Sequence, residues 1–219
     1  SGTYTISNGT LNVSGDVVNG AGTGTLNIDG GTVNAGTIGV DNLNIANSAG
    51  TNGSHTLGSG ESISTGNETI GNSGTGTFTQ TGGTNTVSND LNIGNNSGSS
   101  GTYNLSAGTN TVSNSLVLGF SSGSNGTFNL SGTGNLDSSY VFVGREDTGV
   151  FTQTGGTHSV SNDLNIGINS GSSGTYNLSS GTNSVSNNLN IGIQSGSSGT
   201  YNLSGGTNTV SNSLVLGFS

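Results

Sequence analysis

Residues 199–219, GTYNLSGGTNTVSNSLVLGFS, decide the fold, because residues 101–121 repeat the same string with one change, Ala107 for Gly205. Three short runs inside it, TYNLS, TNTV and SLVL, alternate in polarity and are separated by Gly, Ser and Asn. Period-two alternation marks a strand with one buried face, and the intervening residues are turn formers. Working outward, related units begin at Gly2, Gly24, Gly53, Gly76, Gly101, Gly126, Gly149, Gly174 and Gly199, and the later ones are spaced by 25, 25, 23, 25 and 25 residues. Three strands in each such period predict an all-β, parallel, right-handed β-solenoid of about nine coils, ~40 Å long at the usual strand spacing. A helical solenoid is excluded, since nowhere does a 3.6-residue apolar period persist for the ~10 residues a helix needs.

One continuous domain is expected. Residues 1–75 form irregular coils, with an insertion near 36–47 and with Glu68 where Leu116 stands in a regular copy, and residues 76–219 form regular coils. Aligning the copies assigns the interior. The first run gives the columns Tyr4, Leu26, His55, Phe78, Tyr103, Phe128, Phe151, Tyr176, Tyr201 and Ile6, Ile28, Leu57, Gln80, Leu105, Leu130, Gln153, Leu178, Leu203. The second run contributes Val13, Val87, Val112, Val160, Val185 and Val210, and the third contributes pairs such as Leu91 with Ile93. Leu11 and Val33 align with Asn85, Asn110, Asn183 and Asn208, so those four asparagines are expected to point inward as a hydrogen-bonded ladder. Gln80 and Gln153 replace Leu in FTQTGGT and are too far apart to pair with each other, so each is expected to bond to a turn.

Composition narrows the function. Arg145 is the single basic residue against ten acids, for a net charge of -9, which excludes a phosphate-neutralising surface and hence nucleic-acid binding through basic patches. No apolar run approaches the ~18 residues that span a bilayer, so membrane insertion is not expected. Cysteine is lacking, which gives no disulfide framework and no thiolate metal site and is compatible with export. Only 26% of residues are hydrophobic, yet their period-two placement outweighs the disorder this composition would otherwise suggest.

No constellation in the sequence supports catalysis. Asp90 and Asp163 occupy equivalent places in SNDLNIG but lie three coils apart, ~14 Å, too far to work as a carboxylate pair. His55 and His158 fall in different columns of distant coils, so a shared metal is not expected, nor is any cofactor. Charges concentrate only at Arg145, Glu146 and Asp147, where local pairing is the simpler expectation. The outward residues suggest a sharper possibility: Thr84 with Thr86, Thr109 with Thr111, and Thr207 with Thr209 flank inward asparagines and form a Thr-x-Thr rank. Its continuation is imperfect, through Thr157 with Ser159, Thr182 with Ser184, and an out-of-register Thr133. Such a rank resembles the flat threonine arrays of ice-binding solenoids, although threonine is also simply a good strand former. Phe120, Ile168, Ile193 and Phe218 follow the glycine after the third strand and stand at a corner, where they either cover a loop or pack sideways.

GTYNLSGGTNTVSNSLVLG and FTQTGGTHSVSNDLNIG resemble the repeats of large bacterial surface proteins with autotransporter-associated or similar β-strand repeats, over nearly the whole chain. The resemblance implies a solenoid in an extracellular or cell-surface setting, as a passenger, adhesin or matrix segment, with no catalytic residue to carry over. The expected function is a non-enzymatic structural fibre or stalk. Its partners would be a polysaccharide or cell-surface component, and other copies of itself through open solenoid ends, since the closing LGFS could lead into the opening SGTYT. The alternative is an ice- or polysaccharide-binding solenoid acting through the threonine rank.

Overall fold

A single copy of the repeat has strands too short and too polar to bury anything alone, and stacking copy on copy supplies the missing contacts. The computed structural model describes residues 1–217, and all their regular structure is β. Strand Ser100–Leu118 shows the plan: residues 100–105, 109–112 and 115–118 lie on three successive faces of one coil. It pairs in parallel with Thr75–Val87 and Leu91–Ile93 on one side and with Asn125–Leu130 and Asn135–Val143 on the other. All pairings are of this parallel kind, partners being one repeat apart, so the coils of about 25 residues form a β-solenoid of about nine turns.

Each face sends two columns of side chains inward. On the first face Phe78, Tyr103, Phe128, Phe151, Tyr176 and Tyr201 stack with successive ring centroids 4.5–5.0 Å apart. That separation equals the strand spacing, so in-register pairing forces the rings into contact. His55 caps the stack, tilted on Phe78 at 5.5 Å. The third face contributes Leu43, Leu91, Leu116, Val141, Leu164 and Leu189, all buried, each worth ~1.5–3 kcal/mol of apolar burial.

The first two copies differ in phase from the sequence alignment. Gly2–Ile6 and Gly24–Ile28 pair with one another, and the latter pairs with residues 42–45, which in turn sit under residues 67–70. Tyr4, Leu26, Ile6 and Ile28 therefore belong to the third face, below Glu68 and Ile70, and the aromatic column begins at His55. Leu11 and Val33 pair in a separate two-stranded sheet, Thr10–Asn12 with Thr32–Asn34. The column under Asn85 consists instead of Val17, Ile38 and Ile63.

The corner after the third face is closed by a left-handed residue. Gly71, Gly94, Gly119, Gly144, Gly167 and Gly192 take φ between 67° and 71°, and a Cβ on Gly94 would lie 2.2 Å from the Asn125 carbonyl oxygen. Glycine alone meets both demands without strain. Ala46 stands at the same corner of an early coil with φ 54°, the one non-glycine residue with positive φ among the described residues.

Candidate functional site

The second face shows its outward residues in two parallel columns. One runs Ser62, Thr84, Thr109, Asn135, Thr157, Thr182, Thr207, and the other Ser64, Thr86, Thr111, Asp137, Ser159, Ser184, Thr209. Thr84, Thr207 and Thr209 are exposed, and Thr86, Thr109 and Thr111 are half-buried. Asn135 and Asp137 interrupt both columns in mid-rank and bond to each other, Nδ2 to Oδ2 at 2.8 Å. Thr133 lies in the preceding turn.

Inside the coil behind these columns, Asn85, Asn110 and Asn183 are fully buried and Asn208 is half-buried. The expected continuous ladder is present only at its end, where Asn183 Nδ2 donates to Asn208 Oδ1 at 2.9 Å. Leu136 and His158 stand between Asn110 and Asn183 in the column and divide it. Asn85 bonds elsewhere, donating to Glu68 Oε2 at 2.8 Å and to the Tyr103 hydroxyl at 3.2 Å. Asn110 has no side-chain partner among the described residues.

Gln80 anchors that network. Its Nε2 donates to Gly83 O at the following turn and to Thr109 O, at 3.3 and 3.0 Å, while its Oε1 accepts from Tyr103 at 2.6 Å. The arrangement recurs 73 residues later: Gln153 donates to Gly156 O and Thr182 O and accepts from Tyr176 at 2.7 Å. A fully buried phenol needs a partner, and Tyr103 and Tyr176 each follow a coil carrying Gln, whereas Phe128 follows Leu105; Tyr201, half-buried, follows Leu178 and accepts from Asn183 instead. His158 takes the place of Asn85 in the second network. Because the Tyr176 proton is committed to Gln153, His158 Nδ1 donates to the phenol oxygen at 3.0 Å, and Nε2 accepts from Ser138 Oγ at 3.2 Å.

Burial governs the protonation of these groups. Desolvation pushes the Glu68 carboxyl up to about 7 against the opposing bond from Asn85, and it lowers His158 to about 3. His55 is lowered to about 4, again chiefly by burial, with Glu61 pulling the other way. The Tyr103 and Tyr176 phenols are raised well above 10 for the same reason. The sequence put Glu68 in a core column but gave no sign that Asn85 would turn toward it. These are interior networks, and they tie neighbouring coils together.

Most of the remaining charged groups also stitch coil to coil, whereas Glu61 and Asp137 bond within their own coil. Asp90 Oδ1 accepts from Asn114 Nδ2 and the Ser115 amide at 2.8 and 3.1 Å, and Asp163 Oδ1 accepts from Asn187 Nδ2 and the Asn188 amide at 2.9 and 3.0 Å. The pairing expected within residues 145–147 is replaced by separate contacts. Arg145 lies over the Phe120 ring at 4.5 Å, Glu146 accepts from Asn169, and Asp147 accepts from the Gly123 amide at 2.7 Å. Phe120, Ile168 and Ile193 are half-buried at their corner, and Phe218 lies outside the described residues. Among the described residues no three His, Asp or Glu side chains gather as a metal site, and no helix is long and apolar enough to cross a membrane.

Both ends of the stack expose core-type residues. At one end Tyr4, Leu11, Val13, Val17, Leu26 and Val40 wall a hollow of about 630 Å³. At the other, Leu203, Leu214 and Leu216 are 56%, 58% and 67% exposed. The sequence matches no family model, and no curated protein or solved structure matches it either.

Proposed function

We propose that this chain is a non-enzymatic structural rod of an extracellular or cell-surface fibre or adhesin stalk, extended by coil-on-coil stacking at its ends. The observation that carries this reading is the coil-on-coil register: each coil pairs in parallel with the next along the stack, so an added coil finds the same strand edges to extend. Residues 2–6 and 214–216 are the outermost strands of one and the same third-face column, so that face can continue from one copy to the next. Such a head-to-tail contact is heterologous and does not close, so it generates filaments.

Most of the acids are engaged in bonds between coils and none is paired with a second carboxylate, which supports a non-enzymatic reading, and a surface with one basic residue has little with which to neutralise the phosphates of a nucleic acid. The resemblance of the repeats to bacterial surface proteins supports the cell-surface setting, where a polysaccharide or surface component is the expected partner. Electron microscopy over a range of concentrations tests the reading: unbranched filaments of single-rod width are expected, and short rods of one length at every concentration would refute it. The alternative, ice or polysaccharide binding through the threonine rank, is less supported because Asn135 and Asp137 interrupt it. An absence of thermal hysteresis would remove its ice version.

A further inference from the structure

The middle outward position of the third face carries Asn44, Thr69 and Asn92 in three coils, then Val117 and Phe142, then Asn165 and Asn190. Two adjoining coils thus place apolar residues inside a polar row, Val117 buried and Phe142 half-buried. Tyr140 stands two residues before Phe142 on the same face and is 37% exposed, and its ring lies 6.5 Å from that of Phe142 with 15° between the planes. Nothing in the core requires either ring, since both point away from it. Beyond Phe142 lies a shallow depression of about 380 Å³, lined by the amides of Asn165, Asn188 and Asn190 over Ile193 and Val215. Those amides are held in place: Asn190 Nδ2 donates to Asn165 Oδ1 at 2.9 Å, and Asn188 Nδ2 donates to Asp163 Oδ1 at 3.2 Å.

We propose that Tyr140, Phe142, Asn188 and Asn190, the last held by the buried Asn165, form a binding site for a neutral polysaccharide. The apolar C–H faces of sugar rings stack on the aromatic pair, and their hydroxyls exchange hydrogen bonds with the fixed amides. From Phe142 to Val215 the patch crosses three coil spacings, ~14 Å, the reach of a few sugar rings. It is too small for a stable protein partner, which needs ~800 Å² from each side. Charge selects a neutral chain, because no basic side chain lines the depression and the protein carries a net charge of -9. The site lies on the outer side of the third face and reaches the last strand only at Val215, so it does not use the inward side chains that end-to-end stacking would cover.

Affinity electrophoresis tests this, using gels that contain β-glucan, xylan or galactomannan, with polygalacturonate as the anionic counterpart, together with pull-down on cellulose and chitin. The full chain is expected to be retained by at least one neutral polymer and not by polygalacturonate. Tyr140→Ala, and Phe142→Asn, which installs the residue found at Asn92 and Asn165, should each weaken retention about tenfold. Thr56→Ala, at an exposed outward position of the first face, should leave it unchanged. Failure of all the neutral polymers to retain the chain, or equal retention of both variants and the parent, would overturn the proposal. So would a Tyr140-dependent change in sedimentation without polysaccharide binding, which would assign the patch to lateral contact between copies.

Discussion

Raising the pH should loosen the coils around Glu68. Its carboxyl is fully buried between Leu43 and Leu91, faces Asn85 and the Tyr103 phenol, and titrates at about 7 instead of 4.5 because burial penalises the charged form. With the folded value above the unfolded one, the stability is fully present below pH 4.5 and is lost as pH rises through about 7. At ~1.4 kcal/mol for each pH unit between those limits, the loss is about 3 kcal/mol and is complete near pH 8. A solenoid opens locally, so the appropriate assay is amide hydrogen exchange by mass spectrometry over residues 62–93, corrected for the intrinsic rate at each pH. Protection in this region should fall by about two orders of magnitude between pH 5 and pH 8, while residues 173–191 show no such alkaline loss. Glu68→Gln keeps an acceptor for Asn85 but carries no charge, so it should abolish the dependence. If the parent and Glu68→Gln lose protection alike, the buried-carboxylate account is wrong.

His158 should behave in the opposite sense. Its folded value of about 3 lies below the ordinary 6.5, so its contribution is intact above pH 6.5 and is lost on acidification, and His158→Asn should flatten the acid limb of a urea stability profile. Ala46→Gly should raise stability by about 1 kcal/mol in thermal or urea unfolding, because the left-handed conformation strains a residue with a Cβ. Tyr176→Phe should cost about 1–3 kcal/mol by stranding Gln153 and His158, and adding Gln153→Leu should recover part of it, since Phe128 over Leu105 is already such a pair. A double-mutant cycle with no coupling would contradict the shared network.

Most of the fold was legible in the sequence because the regular copies are nearly identical, and aligning them fixes which residues point inward. The phase of the first copies was not. Gly24–Ile28, GTLNI, reads like the first-face GTYNL, yet its LNI also matches residues 91–93 on the third face, and pairing with residues 42–45 decides between them. The inward direction of Asn85 and Asn183 follows from period two, but their partners do not, because a hydrogen bond depends on what the adjoining coil brings within reach. Glu68 could be placed in the core by alignment with Leu116, whereas its alliance with Asn85 and Tyr103 needed three coils in register. The aromatic pair at Tyr140 and Phe142 was hidden for a related reason: which face a residue shares with residues a repeat away becomes apparent only once the coils are stacked.

Coil-on-coil extension is tested most directly by sedimentation velocity on complementary end variants. Tyr4→Asp places a charge at one end of the stack and Leu214→Asp at the other, both at exposed positions of one inward column. Each variant alone should remain a single rod, because the contact needs one end of each kind. An equimolar mixture joins the intact end of one variant to the intact end of the other, so it should yield dimers and nothing longer, while the parent forms an open series of larger species. A mixture that stays monomeric while the parent assembles, or a single variant that assembles as the parent does, would contradict head-to-tail stacking of the solenoid.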